Sequence, residues 1–409
     1  MSVKNTKWFY IAITACVLIC TSLVILSTQN LKDFSQDYLA LKAYQNGSSM
    51  YTDTSQGLAA ENGIAYPVSN CHQPSSVLLT APFCFFNYAT SYYLISFISF
   101  CLHFYIIYLL AKRFKFSKNE TYTALAILGF WTPFLYLLYQ GNTNIFVSFG
   151  VILSWLLLSR HKEVFSGLLL GIAASFKLYA LYFGVFLIAK RSLMACVSFI
   201  SSFLLVVALS VLVFGVGDTQ LYISQVASNC FERFGDSLAN ISLSGIILPF
   251  FQENGQIKPI INSANTGILL VYIFSFLLII INLCSLRIAE RRNTQECWDL
   301  NAVSIMLAMI LLSPLSWQHS LHLALPAIFL LYKKFRTTHS QVKLKFLGLA
   351  TLATFISDYR NPILKLKENP DILIGYGEFI FNTKMQALAV LVLLVLLIIE
   401  IFQLRRVSN

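Results

Sequence analysis

Long apolar runs, broken by short and mostly basic punctuation, organise the whole chain. They lie at roughly 8–27, 89–110, 121–139, 143–159, 164–189, 193–214, 265–286, 299–315, 319–332, 343–357 and 384–402. Runs of this length read as membrane helices, because a backbone in hydrocarbon must satisfy its own polar groups. The first run has the length of a signal peptide. Many more spans follow it and no convincing small-x-small cleavage pattern occurs, so it reads as a retained helix.

Basic clusters bound several runs: "AKRFKFSK" (111–118), "SRHK" (159–162), "AKR" (189–191), "AERR" (289–292), "YKKFR" (332–336), "KLK" (343–345) and "LRR" (404–406). The positive-inside rule puts all of them on the cytoplasmic side. One run resists: 164–189 lies between two clusters that both belong inside. The solution is two half-length helices, out and back, turning near "SFK". Lys177 then sits close to the outer interface instead of at midplane, where a charge is expensive. The expected fold is an all-α polytopic membrane protein, one multispanning domain over 1–409. It has about twelve crossings, two of them half-length, and long extracytoplasmic segments at 28–75, 215–264 and 358–383. This threading leaves 20 Lys/Arg and 6 Asp/Glu inside against 9 and 12 outside.

Composition agrees. Of the 409 residues 57% are hydrophobic and 11% charged, with mean hydropathy +0.69; soluble chains carry about 25% charged residues. Formal charge is +11 but dispersed, with no basic domain, so nucleic acid is not an expected partner. The nine cysteines are scattered and form no CxxC pair or metal-like spacing; a disulfide among the outward Cys71, Cys84 and Cys230 is left open. No P-loop, Rossmann glycine pattern, HExxH or DxD occurs, so no nucleotide, metal or other cofactor is expected.

The unusual polar residues gather on the outer side. Asp33 and Asp37 follow the first helix four residues apart and would share a face of any helix beginning there; ordinary acids on a solvated rim are the plainer reading. "YLLYQGNTNIF" (136–146) is an outer turn, Lys177 an outer tip, and "FGDSLANISLSGIILPFF" (234–251) part of an outer loop. "LLSPLSWQHSLH" (311–322) brings His319 and His322 to one helical face at an outer junction. Polar groups at such depth tend to line cavities. A group transfer on this face, away from nucleotides, needs a lipid-anchored donor, a carboxylate base and groups that hold a leaving phosphate. Asp33 supplies the base, and Lys177, His319 and His322 the phosphate contacts. The competing reading is a secondary transporter of a small polar solute or lipid-linked substrate. No internal repeat is evident, and the ionisable groups cluster at one face.

Several segments together resemble glycosyltransferase family 87 of the GT-C superfamily: "DFSQDYLALKAYQNGSSMY", "HQPSSVLLTAP", "YQGNTNIFVSFGVILSWLLLSR", "FSGLLLGIAASFKLYALYFGVFLIAKR", "NISLSG" and "LLSPLSWQHSLHLALP". The resemblance implies a hexosyltransferase on the outer face of a bacterial inner (plasma) membrane. It would move a sugar, typically mannose, with inversion from a polyprenyl phosphate to a glycolipid or glycan hydroxyl, without nucleotide or obligatory metal. It implies that Asp33 is the catalytic acid residue, with Asp37 as fallback, and that Lys177 and His319 contact the donor phosphate. The family's "SPxSWxHH" meets "SPLSWQHS" here, so Ser320 replaces the second histidine and His322 is the substitute. Tyr38, Gln140, Asn144, Asn240 and Trp317 complete the expected substrate contacts.

Overall fold

The computed structural model describes residues 14–22, 24, 33–51, 55–64, 68–253, 257–356 and 375–406. Much of the first expected span and parts of the segments 28–75, 215–264 and 358–383 lie outside the described residues. All regular structure among the described residues is helical. Among the described residues five helices are long and apolar enough to cross a membrane: Tyr88–Arg113, Leu193–Phe214, Ala264–Arg292, Gln295–Leu312 and Met385–Leu404. Lys118–Gly129 and Thr132–Gln140, bent by 52°, make a sixth if taken as one span. The protein is therefore an all-α integral membrane protein. Twelve crossings would also need the shorter apolar helices, among them Asn144–Leu158 and Glu163–Phe176, to span. At about 1.5 Å per residue these fall short of a hydrocarbon core of ~30 Å.

The chain divides into two compact units, Met1–Ser154 with Leu168–Leu178 and Ser198–Ser228, and Trp155–Gly167 with Tyr179–Val197 and Asn229–Asn409.

In the first unit, Phe34–Gln45 turns Phe34, Tyr38 and Leu41 onto one face, the i, i+4, i+7 spacing of a buried helical stripe. They join Val77, Cys84, Tyr92 and Ile95 in an apolar cluster. Of the three cysteines expected to face outward, Cys84 is a free buried thiol and Cys71 is disulfide-bonded. Close helix approach depends on small residues: a Cβ on Gly171 would fall 1.9 Å from Ser202 Oγ and 2.6 Å from the Phe199 carbonyl.

In the second unit, Gln295–Leu312 is buried along most of its length and packs against Ala264–Arg292 and Met385–Arg406. Two polar clasps tie it to Ala264–Arg292: Ser285 donates to Asn301 Oδ1 at 2.6 Å and Ser304 to Asn282 Oδ1 at 3.1 Å. The helix ends at Leu312, just before Pro314, which disfavours helical backbone in the residue ahead of it. The expected span 319–332 starts as a 3-10 helix, Gln318–Ala324, before Leu325–Thr337. With three residues per turn, His319 and His322 still share a face. Cys230 is disulfide-bonded.

Candidate active site

The site is assembled in the first unit, on the first turn of Phe34–Gln45. Three consecutive side chains there catch the incoming segment 68–72. Ser35 Oγ accepts from the Val68 N–H at 3.3 Å, Gln36 Oε1 from the Cys71 N–H at 3.1 Å, and Asp37 Oδ1 meets His72 Nδ1 at 2.9 Å. The next residues reach the apolar helix Glu163–Phe176. Gln73 Nε2 donates to the carbonyls of Ala174 and Ser175 at 3.2 and 2.7 Å, and Ser75 Oγ to Ser175 at 2.8 Å. These are carbonyls that a helix end leaves without internal partners. With its end capped from outside, the helix stops at Phe176, and the run 164–189 proceeds as Leu178–Phe183 and Gly184–Ala189. Lys177 falls in the break, and its Nζ lies 2.6 Å from His72 Nε2.

The protonation pattern follows from the partners. An ammonium only donates and a carboxylate only accepts. His72 Nε2 therefore accepts from Lys177, and its Nδ1–H donates to Asp37. The result is a line: carboxylate, neutral imidazole, ammonium. Asp37 is 1% exposed and His72 7%, so they are walled in, while Lys177 is half-buried. The ammonium spends one of its three N–H bonds on His72.

Asp33 stands at the N-cap of Phe34–Gln45 but makes no side-chain cap. Its carboxylate turns to Asn142, whose Nδ2 donates to Asp33 Oδ2 at 2.7 Å. Asn142 is oriented by its other end, where Oδ1 accepts the Asn144 N–H at 2.8 Å. The Asp33 N–H donates to Gln140 Oε1 at 3.2 Å, and Gln140 Nε2 donates to the Tyr136 hydroxyl at 2.9 Å. Gly141 makes this corner possible. It caps Thr132–Gln140 at φ 60°, and a Cβ there would meet the Tyr92 ring at 2.8 Å. Asp33 is half-buried, and no described residue hydrogen-bonds its Oδ1. Burial raises its carboxyl above the ordinary carboxylate range, while the Asn142 hydrogen bond and the charge of Lys177 pull it back down.

Thus Asp33, Asp37, Gln140, Asn144 and Lys177 belong to one unit, in two hydrogen-bond networks: Asp37 reaches Lys177 through His72, and Asp33 meets Gln140 directly and Asn144 through Asn142. Tyr38 is 1% exposed within the apolar cluster, its hydroxyl 3.2 Å from the Phe86 carbonyl and 3.3 Å from Asn62 Oδ1.

The other expected residues belong to the second unit. Asn240, fully buried, donates to the Gly235 and Pro314 carbonyls at 2.8 and 3.0 Å and accepts the Ser242 and Ser316 N–H groups at 3.1 and 3.0 Å. Ser244 Oγ also donates to the Pro314 carbonyl, at 2.8 Å. "NISLSG" is thereby the clamp of "SPLS". A Cβ at Gly245 would fall 2.2 Å from the Asn240 carbonyl. Lys384, nearly buried, binds the same loop from behind through the carbonyls of Ser237, Leu238 and Asn240 at 3.2, 3.0 and 2.7 Å. Trp317 packs edge-on to Phe234. His319 and His322 are buried, and His322 Nδ1 lies 3.1 Å from the His319 carbonyl.

Sequence reasoning passed over His72 and Asn142. His72 lies in the quoted segment "HQPSSVLLTAP", and Asn142 sits between the two residues chosen from "YQGNTN". The signal for Asn142 was local: a glycine closing one helix, then an Asx residue opening the next. Among the described residues no group of three or more His, Cys, Asp or Glu side chains is arranged to hold a metal ion.

A membrane-embedded helical protein with a shielded carboxylate, a second carboxylate and a steered lysine is equipped for acid–base group transfer beside lipid. A family model for Glycosyltransferase family 87 matches residues 71–314, well over half of the chain. The chain belongs to glycosyltransferase family 87, and the protein is a membrane hexosyltransferase. Membership selects sugar transfer over solute transport, the two readings left open by the sequence. The matched region holds His72, Asn142 and Lys177; Asp33 and Asp37 precede it. No curated protein matches the chain.

Proposed function

We propose that the protein transfers a hexose, typically mannose, from a polyprenyl-phosphate sugar to a hydroxyl of a glycolipid or glycan, in one inverting displacement. The carrying observation is the contrast between the two acids. Asp37 is 1% exposed, its Oδ1 committed to His72 and its Oδ2 shut away from solvent, whereas Asp33 is half-buried, with Oδ2 held by Asn142 and no described residue on Oδ1. Asp33 takes the proton of the acceptor hydroxyl as that oxygen attacks the anomeric carbon. The bond from the anomeric carbon to the phosphate oxygen breaks, and the polyprenyl phosphate leaves with the electron pair. Lys177 faces the charge that develops there, with two N–H bonds that no described residue takes. Asp37 and His72 hold Lys177 in place.

The reading places this chemistry on the extracytoplasmic face of the inner membrane, with twelve crossings and Lys177 at the outer tip of two half-length helices. Disulfide-bonded Cys71 and Cys230, in the first two outer segments, support that orientation, since disulfides persist in oxidising compartments. The basic clusters of the opposite loops support it as well. His319 and His322 carry a separate proposal as donor-phosphate contacts, supported by the "SPLSWQHS" motif. It predicts weaker donor binding in His319→Ala than in wild type.

The test is transfer by Asp33→Asn and Asp37→Asn proteins, each checked for normal membrane insertion. Asp33→Asn should abolish transfer, and Asp37→Asn should weaken it. Wild-type transfer by Asp33→Asn would remove Asp33 from the base role. Abolition in Asp37→Asn alone would exchange the two.

A further inference from the structure

One buried acid of the first unit has no part in this chemistry. Asp218 lies in the short helix Val216–Leu221, 9% exposed, and both of its oxygens are occupied by one turn of the first outer segment. Its Oδ1 accepts from Ser49 Oγ, and its Oδ2 accepts the Met50 N–H at 3.4 Å. Ser49 Oγ in turn accepts the Tyr51 N–H at 3.2 Å. The Tyr51 ring stacks against Tyr222, 6.1 Å between centroids and 28° between planes. Its hydroxyl donates to the backbone carbonyl of His72 at 2.7 Å. The His72 N–H is held by Asn70 Oδ1 at 2.8 Å, and Asn70 Nδ2 returns to the Met50 carbonyl at 3.4 Å.

The chain of contacts therefore runs from an acid at the start of the second outer segment to the backbone of the imidazole that steers Lys177. A staple meant only to hold the fold could end on any loop carbonyl. This one ends on His72, whose ring sits between Asp37 and Lys177 at 2.9 and 2.6 Å, where a small backbone shift breaks one bond or the other. We infer that Asp218 and Tyr51 are positioning residues, which act through His72 to set the lysine that receives the donor phosphate. The inference rests on the proposed phosphate role of Lys177.

Tyr51→Phe removes the hydroxyl and keeps the ring on Tyr222. Asp218→Asn keeps the size and loses one acceptor. The probe is farnesyl phosphate, with farnesol as the same chain lacking the phosphate, titrated into full-length protein in nanodiscs. Each variant should bind farnesyl phosphate about 2–10-fold more weakly, the worth of one ordinary hydrogen bond, with farnesol affinity unchanged. In a His72→Ala background, Tyr51→Phe should have no further effect. A merely structural staple would move both probes together or neither. Unchanged phosphate affinity in both single variants, or an equal loss with and without His72, overturns the inference while Lys177→Ala still weakens phosphate binding. If Lys177→Ala leaves phosphate binding unchanged, the donor-site reading falls and this inference with it.

Discussion

The sharpest quantitative consequence concerns the contact between His72 and Lys177. At 2.6 Å it is a short hydrogen bond from an ammonium to an imidazole nitrogen in a mostly buried setting. Hydrogen bonds to charged groups contribute about 1.5–3 kcal/mol net. If the whole function of His72 is to aim Lys177 at a phosphate, His72→Ala forfeits that aim. Affinity for farnesyl phosphate should then drop by about 10- to 150-fold. Lys177→Ala removes the phosphate contact itself and should weaken binding at least as much. Because one residue acts through the other, the double variant should bind no worse than Lys177→Ala. The coupling energy of the cycle then equals the His72→Ala effect, about 1.5–3 kcal/mol. The assay is equilibrium titration of farnesyl phosphate into each of the four proteins in nanodiscs, with farnesol as control. Additive losses, with a coupling energy near zero, would refute the relay: His72 would then touch the phosphate independently or act only on folding.

Asp33 gives a pH signature: burial raises its carboxyl and the base works deprotonated, so transfer rates should fall as pH drops through a value above the ordinary carboxylate range. Asp33→Asn should lose about 10²–10⁴ in rate above that pH, with the gap closing below it, read as labelled sugar passed from polyprenyl-phosphate-mannose to lipid extract. Gly141→Ala forces a side chain into φ 60° and against Tyr92; it should cost about 1–3 kcal/mol, seen as a lower Tm in detergent. Asn240→Ala strands the buried N–H groups of Ser242 and Ser316; about 1–3 kcal/mol per stranded group should appear in the same melting assay.

Much of this architecture was legible because lipid imposes simple rules. The run 193–214 became Leu193–Phe214, and 89–110 became Tyr88–Arg113, since one uninterrupted apolar stretch with basic ends has few alternatives. Where polar residues intrude, periodicity failed. Pro133 accompanies the 52° bend inside 121–139, and 319–332 opens with a 3-10 turn where Gln318 accepts from Gln386 and Trp317 packs on Phe234. In the site, Lys177 stood out because a charge in an apolar run must have a reason. Asp33 and Asp37 stood out through helical spacing. His72 did not, and Asn142 was marked only as a turn residue after Gly141, because their roles are tertiary. They meet Asp37 and Asp33 across 35 and 109 residues of chain, and nothing in their local sequence announces the partner. Asn240 was legible as an unusual residue, and the structure shows its amide spent on holding the Pro314–Ser316 turn.

The central claim is that Asp33 and Lys177 face the two ends of one reacting bond. The most direct measurement is a density map of Asp33→Asn protein with intact polyprenyl-phosphate-mannose bound. The account predicts a phosphate oxygen about 3 Å from Lys177 Nζ and the anomeric carbon between that phosphate and position 33. Donor density with its phosphate away from Lys177, or with the sugar turned from position 33, would contradict it.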